Sequence, residues 1–283
     1  MKILIALLLG LVQGLCEFLP VSSSGHLYLV EKLTGGAVGE GYFGSFFVVM
    51  LHVATLIAVL FVYREQVGAI LRHPLQPLTL YLIVATLPTV AAALILKKWD
   101  ALDAWIENGN LLGVSFLLTA AFLTVSELLC RRRKPKKSIG TMRWTDALAI
   151  GGMQAIGILP GVSRSGATIA GALGRRMDRR SAADFSFLLS VPAILGALIL
   201  ELYKLVKTPA AVAGGSVFEF GATLILGMLA AAISGYFAVR FMIRLVTKKG
   251  LFGFAVYTAD LGVAVLILQL TKTLGFGFTP FGG

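Results

Sequence analysis

The sequence predicts an all-α polytopic membrane protein: six transmembrane helices plus two re-entrant helix-loop-helix pairs in an inverted-topology repeat. Three observations predict it. The 283 residues are 57% hydrophobic and only 14% charged, too little charge to cover a soluble domain of that size. Six segments reach the roughly 20 apolar residues that a span requires. And the chain contains a weak copy of itself: Gly10, Gln13, Val21, Ser22, Ser24 and Gly25 recur 141 positions on as Gly151, Gln154, Val162, Ser163, Ser165 and Gly166.

Along the chain, the stretch 3–33 comes first. It is apolar but broken at Pro20, which removes a backbone donor and stops a helix. The run opens at Met1-Lys2 like a signal peptide, yet it contains Gln13 and Glu17 and offers no small-x-small cleavage site, so it reads as part of the membrane domain. Spans follow at about 44–63, 78–97 and 111–130. A second broken stretch, 144–174, is interrupted at Pro160-Gly161. Spans at about 183–203, 217–239 and 251–271 complete the chain. The whole, 1–283, reads as a single membrane domain of two halves, 1–131 and 141–271. Broken apolar helices at corresponding positions of two halves point to a buried site where irregular backbone is covered by protein.

The net charge of +11 is distributed as topology signals, not as a nucleic-acid surface. Arg131-Arg132-Arg133-Lys134-Pro135-Lys136-Lys137, Arg175, Arg176, Arg179, Arg180, Arg240, Arg244, Lys248 and Lys249 all fall on one side of an alternating topology, the cytoplasmic one. The mixed loop with Lys97, Lys98, Asp100, Asp103 and Glu107 falls on the other, with the stretch around Lys204 and Lys207. Stretch 3–33 then enters from outside and 144–174 from inside. Cys16 and Cys130 are far apart in apolar surroundings and imply no disulfide.

The chemistry concentrates in the two broken stretches. Gln13 and Glu17 are four apart and share a helix face. An intramembrane carboxylate costs about 2.5–3.5 kcal/mol on insertion scales and marks function; with an amide oxygen it suits a hard divalent cation, Mg²⁺ or Ca²⁺. Ser22, Ser23, Ser24 and Gly25 follow Pro20 at a new helix start, a place where free N–H groups attract phosphate. Ser23 and His26 have the spacing of a nucleophile and its base. In the second copy, Arg164 is expensive in a membrane unless it meets an anion, and its planar fork suits a phosphoryl group. Ser163, Ser165, Gly166 and Thr168 surround it. His52, within a span, reads as a packing residue, and Glu127 and Asp260 as intramembrane acids in structural pairs. Glu17 with His26 in one copy and Arg164 in the other suggest one composite site.

The run Gln13-x-x-x-Glu17-Phe-Leu-Pro-Val-Ser-Ser-x-Gly-His26, with Pro160-Gly-x-Ser-Arg-Ser-Gly-Ala-Thr168, resembles the bacterial undecaprenyl-diphosphate phosphatase family associated with bacitracin resistance. The resemblance extends over the whole chain. The family's first position is Glu or Gln; this chain has Gln13, leaving Glu17 as the charged member. The resemblance implies metal-dependent removal of the terminal phosphate from a C55 polyprenyl diphosphate, recycling a cell-wall lipid carrier in the bacterial plasma membrane. The expected roles are Glu17, Ser23, His26 and Arg164 in catalysis; Ser22, Ser24, Gly25, Ser163, Ser165, Gly166 and Thr168 in substrate binding; and Gln13 with Glu17 at the metal. The partners expected are the lipid substrate and the bilayer, with a homodimer left open, and the site opens to the outer face. A Ser-Gly-His string also occurs in type-2 phosphatidic acid phosphatases, but their Ser-Arg with His five residues on fails here, where Ala170 stands. A transporter or flippase of the carrier is the competing reading, since such proteins also use inverted repeats and broken helices.

Overall fold

The computed structural model describes residues 2–35, 42–132, 134–207, 217–273 and 276–277. They form twelve α-helices: α1 (Lys2–Phe18), α2 (Ser23–Leu33), α3 (Tyr42–Val62), α4 (Arg64–Arg72), α5 (Pro77–Leu96), α6 (Asp100–Glu107), α7 (Leu112–Arg132), α8 (Trp144–Ile156), α9 (Arg164–Gly174), α10 (Arg179–Lys207), α11 (Val217–Lys248) and α12 (Phe252–Thr271). Among the described residues, α5, α7, α10, α11 and α12 are long and apolar enough to cross a membrane. A sixth span arises if α3 is counted with α4, which bends away from it by 85°. Helices stand at all six positions read as spans from sequence. The short helices α4 and α6 were not anticipated; α4 carries Glu65 in its first turn and Arg72 in its last, the arrangement the helix dipole favours.

Stretch 3–33 is the pair α1 and α2, broken at residues 19–22, and 144–174 is α8 and α9, broken at residues 157–163. The first break turns through Ser22, which takes φ +71° although it is not glycine; the second uses Gly161 at φ +89°.

The recurring glycines have a steric reason. α1 lies along α11, and a Cβ on Gly10 would stand 2.2 Å from the Gly227 carbonyl oxygen, one on Gly14 2.0 Å from Ser234 Oγ. α8 lies along α5, and a Cβ on Gly151 would stand 2.2 Å from the Ala85 carbonyl oxygen. In lipid, where apolar burial gives no net drive to helix pairing, small residues that let backbones approach supply it through dispersion. Each pair joins a helix of the first half of the chain to one of the second.

One end of the bundle is basic and knitted by acids. Glu127 at the end of α7 accepts from both Nη atoms of Arg179 at 2.9 and 2.8 Å and from the Leu251 backbone N–H at 3.1 Å. Asp146, fully buried at the start of α8, holds Lys137 and Arg175, each at 2.7 Å. Asp184 accepts from Tyr63 and Arg180. Glu127 is therefore paired as expected. Asp260 is not: it is exposed on α12, and no side-chain partner for it occurs among the described residues. Arg133 of the basic run lies outside the described residues.

Candidate active site

α1 ends at Phe18 because Pro20 cannot continue it, and α2 restarts at once with Ser22 as its cap: the Ser22 hydroxyl accepts from Gly25 N–H at 3.2 Å. α9 starts in the same way, Ser163 Oγ accepting from Gly166 N–H at 3.0 Å. The two loops touch. Gly161 N–H reaches Ser24 Oγ at 3.5 Å, Ser165 Oγ donates to the Leu19 carbonyl at 3.2 Å, and Gly25 packs so close that a Cβ would stand 3.1 Å from Gly161 Cα. Thr119 on α7 braces the second loop by accepting from Ser163 N–H at 3.0 Å.

This crossing brings the two motifs' charges together. Glu17 is buried at the end of α1, with Arg164 against its Oε1. Its Oε2 accepts from Gln13 Nε2 at 2.9 Å and from the Ser23 hydroxyl at 2.6 Å. Ser23 is the first helical residue of α2, and its side chain points back toward α1. His52 Nε2, from α3, lies 3.5 Å from the same Oε2.

A cavity of about 580 Å³ opens onto this cluster. Glu17, Ser23, Ser24, Ser163 and Arg164 line it, with His52, Thr86, Thr89 and Gln154. Its remaining wall is largely apolar, with Val90, Ala93, Leu94, Pro192, Ala197 and Leu200, and reaches Lys97 at the end of α5. A small polar end and a long apolar wall suit an amphiphile with an anionic head.

The other expected residues lie off that surface. Ser22 and Ser165 serve the loops, Gly25 and Gly166 the close approach between them. Thr168 donates to the Arg164 carbonyl at 2.9 Å and shares a 2.5 Å hydrogen bond with Ser186. Gln13 is fully buried behind Glu17. His26 does not meet Ser23: its Nδ1 lies 2.7 Å from the Ser22 carbonyl oxygen and its Nε2 2.7 Å from the Tyr257 hydroxyl, with the ring stacked on Tyr257 and edge-on to Phe116. The spacing of three places the ring over the helix start, so it folds onto the cap carbonyl and away from the cavity.

Five cavity residues were not singled out as site residues. His52 looked like an isolated histidine in an apolar run. Thr86, Thr89 and Lys97 carry no motif. Gln154, whose Nε2 donates to Thr89 at 2.9 Å, was visible as the repeat copy of Gln13.

The family profile described as bacitracin resistance protein BacA matches residues 6–264. This chain belongs to the BacA family. Among its relatives, the undecaprenyl-diphosphatase of Carboxydothermus hydrogenoformans is 42% identical over 264 residues, 93% of this chain and 96% of that protein. Undecaprenyl-diphosphatase 4 of Bacillus thuringiensis subsp. konkukian is 42% identical over 266 residues, 94% and 97% of the two chains. The undecaprenyl-diphosphatase of Treponema denticola is 36% identical, again over 94% and 97%. In this BacA-family chain both motifs, and with them Glu17, Ser23 and Arg164, fall inside the matched region.

Proposed function

We propose that this chain is an undecaprenyl-diphosphate phosphatase that returns the lipid carrier of cell-wall synthesis to its monophosphate. The observation that carries the reading is the buried contact of Glu17 with both Ser23 and Arg164 at the polar end of an otherwise apolar cavity.

Phosphoryl transfer needs positioning and charge balance more than covalent assistance. The head of the substrate would enter the polar end, its prenyl chain lying along the α5 and α10 wall. Arg164 would exchange part of its contact with Glu17 for the terminal phosphoryl oxygens. Ser23 Oγ would attack phosphorus, forming the Oγ–P bond as the P–O bond to the polyprenyl monophosphate breaks. The serine proton would leave along the hydrogen bond already made to Glu17 Oε2. Water would then hydrolyse the phosphoserine. His26, bonded to the Ser22 carbonyl, would hold the first turn of α2; to act as the base itself it would have to leave Tyr257.

A divalent cation, Mg²⁺ or Ca²⁺, fits the donors beside Ser23. The Gln13 Oε1 atom is buried without a hydrogen-bond partner, next to the carboxylate. Among the described residues no three His, Cys, Asp or Glu converge, so the substrate's phosphates would complete the shell. When bound, the ion would offset the charge of the diphosphate.

The arrangement in the plasma membrane follows from the charges. The basic end of the bundle would face the cytoplasm. The pairs α1–α2 and α8–α9 would be re-entrant, entering from opposite faces and meeting at the loop crossing. The cavity would then open toward the outer leaflet, on the side of Lys97.

Purified protein in detergent, given a C55 polyprenyl diphosphate, should release phosphate, and EDTA should stop it. Arg164→Ala should lower turnover by at least about 100-fold, the effect of losing one charge-stabilising donor. Folded protein that binds the lipid but releases no phosphate would favour transport of the carrier instead.

A further inference from the structure

His52 lines the cavity from α3, beside Glu17, and one hydrogen bond fixes its ring. Nδ1 lies 2.9 Å from the Val48 carbonyl oxygen, four residues back on α3. A carbonyl can only accept, so Nδ1 carries the proton, and in the neutral ring Nε2 offers a lone pair. That lone pair faces Glu17 Oε2 at 3.5 Å. Glu17 Oε2 is an acceptor too. Two electron-pair donors brought face to face call for a cation between them.

The spacing suits a metal ion. Adjacent ligands at ~2.1 Å from an octahedral cation lie about 3 Å apart, so a few tenths of an ångström of adjustment would seat one here. A backbone carbonyl behind the imidazole is also the usual support of a ligating histidine, since it sets both tautomer and ring orientation. The third donor is Gln13, whose orphaned Oε1 needs only a rotation of its amide to stand beside Glu17.

Resting on the metal-assisted reading above, we propose that His52 Nε2 is a direct ligand of the divalent cation, with Glu17 and Gln13 the other protein ligands. A nitrogen ligand changes which ions the site accepts. Ca²⁺ and Mg²⁺ take oxygen, whereas imidazole favours the transition ions. The site should therefore hold Mn²⁺ or Co²⁺ more tightly than Ca²⁺, and that preference should reside in His52.

The test uses Mn²⁺ as probe on the full chain in detergent, with a non-hydrolysable diphosphate lipid. Electron spin-echo spectra should show imidazole ¹⁴N coupling to Mn²⁺. With only three histidines in the chain, ¹⁵N-histidine labelling should convert that coupling to its ¹⁵N form. His52→Gln should abolish it and weaken Mn²⁺ binding by about 10-fold or more, while His26→Gln should retain it. Mn²⁺ bound in a Glu17-dependent manner without imidazole coupling would overturn the role of His52 and leave the metal reading intact. No Mn²⁺ binding, with the phosphatase active in EDTA, would overturn both. The wild-type spectrum decides even if His52→Gln fails to fold.

Discussion

Arg164 and Glu17 are 147 residues apart in sequence and in direct contact, each largely buried and each supplied by a different copy of the internal repeat. Breaking such a pair from one side leaves an uncompensated charge in a low-dielectric site, at a cost of about 3–5 kcal/mol. Glu17→Gln and Arg164→Ala should each lower the thermal midpoint in detergent, and the double variant should lose much less than the sum. Strict additivity would mean that the contact contributes nothing to folding.

Ser23→Ala removes the hydroxyl that rests 2.6 Å from Glu17 while leaving the cavity wall in place. Stability should change by about 1 kcal/mol, one hydrogen bond's worth. Turnover should fall by at least about 100-fold, and labelled phosphate should no longer be trapped on the protein during turnover. Undiminished turnover would assign the attack to water.

The glycines make a contrasting pair of predictions. Gly10→Ala and Gly151→Ala should destabilise strongly, because each new methyl would meet a backbone carbonyl oxygen at 2.2 Å. Gly152→Ala, next to one of them in sequence, has nothing within 4 Å and should be neutral or slightly stabilising through helix propensity. Denaturation profiles of the three variants would show whether the steric account is correct.

Asp260 places an exposed carboxylate on a helix that is otherwise suited to lipid. Asp260→Leu should raise the midpoint, since an acid near a helix centre costs about 2.5–3.5 kcal/mol on insertion scales. A drop instead would reveal a partner that binds this face.

The helices were legible because length and apolar runs decide them: helices stand at all six positions read as spans, five or six of them long and apolar enough to cross a membrane, and both apolar stretches are broken where sequence placed the breaks. The shared Gly10 and Gly151 were visible as letters, but their reason, a backbone of the other half at contact distance, is tertiary. The meeting of Glu17 with Arg164 followed from the way the copies differ. His52 did not, because its neighbours in sequence are largely apolar and the carboxylate it faces, Glu17, comes from α1, outside its own helix. Ser23 and His26, three apart, take different hydrogen-bond partners for a local reason. A residue at the first position of a helix aims its side chain backward, so Ser23 turns toward α1, while three positions later the ring finds the cap carbonyl.

The position of α1 against α11 has a consequence for how the chain is made. α1, which carries Gln13 and Glu17, leaves the ribosome some two hundred residues before the surfaces that receive it, around Gly227 and Ser234. Until Arg164 and then that groove have been made, Glu17 lacks both. The hairpin of α1 and α2 can settle against α11 only once those later residues have been made.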